Sequence, residues 1–132
     1  MKKYKLTDET KVASGTTLHR IEALRDFGII KSGDLGGWVE SENNLSHNGN
    51  CWIYNDAKVS GDAQVYGNAQ VSGNARVCDN AEVYGNAQVY DNAEVSGDAW
   101  VFENARVCGD ARVYDNAQVC GDAQVFGDAR VQ

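Results

Sequence analysis

From Asp56 to Gln132 the chain is one six-residue phrase written thirteen times, Asp/Asn-Ala-x-Val-x-Gly/Asp. Alanine holds the second place each time, from Ala57 and Ala63 to Ala129, and valine holds the fourth, from Val59 and Val65 to Val131. A unit this short cannot bury a core by itself and has to stack on its neighbours. Ala-x-Val places both apolar side chains on one face of a short strand. The Gly, Asp and Asn that follow tolerate left-handed backbone angles and make tight corners. Strand plus corner is one side of a prism, and three sides close a coil. The reading is an all-β solenoid, a triangular parallel β-helix of about five coils, roughly 24 Å tall at the usual strand spacing.

Composition agrees with continuous strand pairing. There are 14 glycines and no proline, the residue that donates no ladder hydrogen bond. The net charge is −7. Residues 1–43 balance their acids and bases, so the excess sits on the repeats. An acidic body argues against direct nucleic-acid binding, because phosphate contacts require cations. The start, MKKYKLTDET, lacks the apolar run of a signal peptide, and no stretch has the length of a membrane span. A cytoplasmic location is expected, without membrane association. The four cysteines read as free thiols: Cys51 takes an alanine place and points inward, while Cys78, Cys108 and Cys120 take outward places on three different faces, too far apart to pair. No Cys or His spacing suits a metal, and no cofactor is expected.

Towards the N-terminus the phrase decays. Residues 50–55 keep it with Cys51 for alanine and Ile53 for valine, and residues 44–49 keep only Leu45 and the turn. Departure from consensus at the end of an array is the mark of capping. Two regions are therefore expected, residues 1–37 as a small mixed or β cap and residues 38–132 as the solenoid. Lys3 to Thr7 and Thr10 to Ala13 look extended around a turn at Ser14-Gly15. The stretch TTLHRIEAL reads equally as a helix or a strand. Leu18, Ile21, Leu24, Phe27, Ile29 and Leu35 are expected to cover the first coil.

Valine followed four residues later by alanine resembles the phrase of the left-handed β-helix hexapeptide-repeat proteins. That resemblance implies a left-handed coil, although the bactofilin-type prisms, similar in repeat length, are right-handed. The head YKLTDET, followed by GDLGGWVESENNLSHNGNCWIY and the DNA/GNA phrases, resembles short accessory proteins of phages and prophages. This resemblance implies a phage-encoded protein acting in the host cytoplasm.

Stepping by three phrases sorts the outward residues into columns. One face carries Tyr66, Tyr84 and Phe102 in line, with Trp100 beside Phe102. These rings either shield the sheet or form an interface core. Another carries Lys58, Arg76, Arg112 and Arg130, interrupted by Glu94. This column is either a salt-bridge ladder through Glu94 or an anion site. The function expected from these features is non-enzymatic binding: an inhibitor or sequestering protein working through its solenoid surface, on a host protein or a small anionic ligand. A self-assembling structural protein is the alternative. An acyltransferase ranks lower, because residues 50–132 contain no histidine to act as base. A homo-oligomer is expected, as a dimer through an open C-terminal coil or a trimer through the aromatic face.

Overall fold

The strand-and-corner reading of the phrase carries over directly to three dimensions. In the computed structural model, which describes residues 2–132, every phrase from Asp56 onward contributes a two-residue strand centred on x-Val. After β1 (Tyr4–Ala13), β2 (Thr16–Ala23), β3 (Leu35–Val39) and β4 (Trp52–Ile53), thirteen such strands follow, β5 (Lys58–Val59) to β17 (Arg130–Val131). They form three sheets. One runs β1-β2-β3-β5-β8-β11-β14-β17, with β8 at Arg76–Val77, β11 at Glu94–Val95 and β14 at Arg112–Val113. The second runs β16 (Gln124–Val125), β13 (Arg106–Val107), β10 (Gln88–Val89), β7 (Gln70–Val71) and β4, and the third β15 (Gln118–Val119), β12 (Trp100–Val101), β9 (Glu82–Val83) and β6 (Gln64–Val65). Pairing between coils is parallel and advances by 18 residues, as in Gln70↔Gln88↔Arg106. The protein is a parallel β-solenoid of about five turns.

Two sets of backbone bonds hold each corner and each side. Gln88 N–H donates to Ala105 O at 3.0 Å and Tyr90 N–H to Val107 O at 2.9 Å, tying coil to coil. Within the corner, Ala87 N–H donates to Tyr84 O at 3.3 Å. The sixth place always has positive φ. Glycine usually fills it, but Asp79, Asp91 and Asp115 adopt it at 58–61° and Glu103, a departure from the phrase, at 60°. Asp79, Asp91 and Glu103 recover the strain of a left-handed angle: their carboxylates accept the next corner's N–H, as from Gly97 to Asp79 at 2.9 Å and from Gly121 to Glu103 at 3.1 Å. Asparagines at the first place form ladders, Asn68 to Asn86 to Asn104 to Asp122. The interior from Ala57 to Val113 is Ala and Val at 0% exposure.

The regular structure in residues 2–39 is three strands, β1, β2 and β3, with turns between β2 and β3. The ambiguous TTLHRIEAL stretch is strand β2, antiparallel to β1 across the Ser14-Gly15 turn. β2 also pairs with β3, and β3 pairs in parallel with β5, so the hairpin extends a solenoid sheet. β3 runs across the expected boundary at residues 37 and 38. Of the residues expected to cover the first coil, Leu18, Ile21 and Phe27 are buried, whereas Leu24, Ile29 and Leu35 are 40%, 80% and 53% exposed. Leu24 and Ile29 fall in the bend and turn between β2 and β3, and Leu35 stands at the outer start of β3, while Tyr4, Ala23, Ile30 and Trp38 take the buried places instead. Asn44 is fully buried and satisfied on every side. Its Oδ1 accepts from Glu40 N–H and Ser41 N–H, and its Nδ2 donates to Gly61 O and Ala63 O.

Candidate functional site

The basic column stands where stepping by three phrases places it. Trp38, Lys58, Arg76, Glu94, Arg112 and Arg130 are successive register partners on one sheet. The salt-bridge ladder is only half built. Arg112 Nε lies 3.9 Å from Glu94, while among the described residues Lys58, Arg76 and Arg130 have no carboxylate within salt-bridge distance. Lys58 Nζ donates instead to the backbone oxygen of Asp56 at 3.3 Å. Its ammonium is pushed below the ordinary lysine value by burial, then by the nearby charges of Lys11 and Arg76. Like charges gathered without direct ion pairs favour an anion between them, against the nearby carboxylates of Glu40 and Asp79.

The hairpin turns this column into a cleft. Ser14 and Thr16 from the β1–β2 turn face Lys58, Ser60, Arg76 and Cys78 across a space of about 280 Å³, and Glu40 closes one side. The Glu40 carboxylate accepts from Gly61 N–H at 2.7 Å, which fixes that wall. Lys11 crosses the hairpin to stack on Trp38, its Nζ 4.2 Å from the ring centroid, and Arg20 lies 5.3 Å from the same ring. The Cys78 thiol is pushed above its ordinary value by burial, then by Asp79 and Glu94, so it stays protonated at neutral pH. The cleft therefore offers cations, hydroxyls and a neutral thiol: donors for a phosphate or carboxylate group.

The aromatic column is also assembled. Tyr66 and Tyr84 stack at 4.8 Å and 3°, and Tyr84 and Phe102 at 5.1 Å and 4°. Trp100 meets Phe102 edge-on at 6.5 Å and remains 38% exposed. Tyr66 OH donates to Glu82 at 2.7 Å. The rings spend their faces on each other and turn their edges outward.

Sequence reasoning missed the hairpin's part in the cleft. Lys11, Ser14, Thr16 and Glu40 lie outside the repeat, and no period assigns them to a face. It also left His47 without a role. His47 stacks on Tyr4 at 4.2 Å, its Nδ1 accepts from Lys3 N–H, and its Nε2 lies 2.9 Å from Glu42. An acceptor at Nδ1 makes Nε2 the donor in the neutral ring. Both nitrogens are engaged, and the ring braces the first coil.

Comparison with known proteins follows the solenoid. The YdcK beta solenoid repeat model matches residues 69–85, 87–103 and 105–122. Over 68 residues, 46% of this chain, the protein is 37% identical to the uncharacterized acetyltransferase YdcK of Escherichia coli (strain K12). That alignment covers 21% of the relative, so the chain spans about a fifth of its length. These matches overturn the expectation of a phage inhibitor or sequestering protein, because the related protein is a bacterial one named as an uncharacterized acetyltransferase. The error has a physical source. Variable outward columns over an invariant Ala/Val interior are what any β-solenoid presents, whatever it carries. Among the described residues no helix is long and apolar enough to cross a membrane.

Proposed function

We propose that this chain is the β-solenoid of an acetyltransferase-type protein, and that its cationic cleft holds the anionic part of the acetyl donor. The phosphates of a coenzyme A thioester fit that description. The observation that carries the reading is Lys58 and Arg76 lining the space beneath the hairpin, with Lys11 of β1 close enough to act on Lys58 and none of the three in an ion pair among the described residues. A volume of about 280 Å³ suits a phosphate-bearing head group, and the rest of the donor lies along the open basic face. Lys58 and Arg76 bind charge, and the Ser14, Thr16 and Ser60 hydroxyls orient it. In this reading the residues of the cleft contribute binding and alignment rather than proton transfer, since Cys78 stays protonated and His47 is fully bonded.

The test is calorimetric titration of the protein with coenzyme A and acetyl-coenzyme A, beside a Lys58→Glu/Arg76→Glu variant. Binding to the wild type weakens with salt, and the variant loses about tenfold or more in affinity, as expected when charge-assisted bonds are removed. Absence of binding to the wild type at millimolar ligand, or equal binding by the variant, overturns the reading.

A further inference from the structure

Lys3 is a lysine with no exposure at all. Its Nζ donates to Cys51 O at 2.7 Å and to Gly49 O at 3.3 Å, sits 4.8 Å from the Phe27 ring centroid, and lies 3.3 Å from Cys51 Sγ. Cys51 is equally buried, and it is a free thiol. Apart from Lys3, the sulfur's polar neighbours are backbone oxygens: Ser46 O at 3.5 Å, Asn48 O at 3.6 Å and Val65 O at 3.7 Å. The other three cysteines occupy outward places on the solenoid, so the reactive neighbour of this thiol is an amine.

We propose that Lys3 and Cys51 are an oxidative cross-linking site, closing to a sulfenamide, Nζ–Sγ, under hydrogen peroxide. Nζ takes the thiol proton, and the sulfur attacks one peroxide oxygen. The S–O bond forms, the O–O bond breaks, and the departing hydroxide recovers the proton from Nζ as water. The neutral amine then attacks the sulfenic sulfur. The N–S bond forms, the S–O bond breaks, and the hydroxyl leaves with one amine proton as a second water. One amine, one thiol and one peroxide give one sulfenamide and two waters. Sulfenic acids are known to condense with nitrogen in this way. Burial favours the neutral amine that both steps need: it pushes Lys3 below the ordinary lysine value, Cys51 opposing and Arg25 adding to it. Peroxide gains access by local opening of the segment that leads into β1, since native structures open locally at free energies below that of global unfolding. The bridge ties the start of β1 to the first coil, and with it the hairpin that walls the cationic cleft.

The experiment uses the full chain with Cys78→Ser, Cys108→Ser and Cys120→Ser, so that Cys51 is the single thiol. After peroxide, the expected intact mass is two hydrogens below that of the reduced protein. Proteolysis yields a peptide joining Lys3 to Cys51, dithiothreitol restores the starting mass, and the bridged form melts at a higher temperature. Adding Lys3→Arg abolishes the bridge and leaves only whole-oxygen additions. Whole-oxygen additions without a bridge in the Lys3 protein overturn the proposal. So does a link to any other amine, or a gain of one oxygen net of two hydrogens, the signature of an N–O–S bridge.

Discussion

The hairpin and first coil differ from the later coils in how they are specified. From Ala57 to Val113 the interior repeats two residue types at 0% exposure, and each coil is held by the same bonds as the next. In residues 2–53 the buried groups are held one by one by partners of different kinds, with Arg25 Nε and Trp38 Nε1 left unbonded. Lys3 caps Gly49 and Cys51, Tyr4 OH donates to Leu45 O at 2.6 Å, Asn44 joins four backbone groups, and Trp52 meets Phe27 edge-on at 5.2 Å. Redundancy spreads stability over many equal contacts, as in a one-dimensional array. Singularity concentrates it. The difference also locates the chemistry: the buried amine, the buried thiol and the walls of the cleft all lie at or beside the place where the period breaks.

Substituting alanine for glycine in the two regions puts that contrast to its harshest trial. A Cβ on Gly37 would sit 2.6 Å from Ala57 O and 2.6 Å from Ile53 Cγ2, at the β3–β5 junction where nothing flexible can yield. Gly37→Ala is expected to cost about 3 kcal/mol, read as a lower denaturation midpoint at unchanged slope. Gly121 has φ +65 and nothing within 4 Å, so Gly121→Ala meets only left-handed strain, about 1 kcal/mol. Equal losses at the two sites would erase the distinction. Asparagine gives a second, smaller comparison. Asn44→Ala strands buried backbone groups and is expected to cost about 2 kcal/mol. Asn86→Ala removes exposed ladder bonds of 3.4 and 3.5 Å and should cost less than about 0.5 kcal/mol. A loss at Asn86 as large as that at Asn44 would mean that the ladder, and not the Ala/Val interior, carries the solenoid.

The same contrast explains what could be read from the residues alone. A period assigns every residue it contains to a face, which is why the order Lys58, Arg76, Glu94, Arg112, Arg130 and the line Tyr66, Tyr84, Phe102 could be written down before any coordinate. Outside the period there is no such rule. Apolarity alone places Leu24, Ile29 and Leu35 in the core, but the connection from β2 to β3 exposes them. Trp38 crowns the basic column only because β3 happens to enter the sheet one coil before β5. The half-built state of the salt-bridge ladder depends on side-chain reach, which register leaves open. Function was the least legible property, since a scaffold of Ala and Val is indifferent to what its outer residues bind.

The mildest effect expected belongs to the singular region and depends on pH. Glu42 receives hydrogen bonds from Lys2 Nζ at 3.1 Å and from His47 Nε2 at 2.9 Å. These hold its carboxyl below the usual carboxylate range, Lys2 contributing most and His47 next. A carboxyl depressed in the folded state binds fewer protons there than in the unfolded chain, so it contributes stability above its ordinary value. That contribution fades as pH falls from the ordinary value through the lower folded one. Lys2 and Glu42 are well exposed, which keeps the effect small. Glu42→Gln is therefore expected to leave the melting temperature nearly unchanged in strong acid, to lower it slightly at neutral pH, and to flatten the slope between. The solenoid supplies the reference: Glu94→Gln, whose partner Arg112 is 3.9 Å away in an exposed pair, should lower the melting temperature at neutral pH by less than Glu42→Gln does. An acid limb unchanged by Glu42→Gln would remove His47 and Lys2 from the account of how the first coil is held.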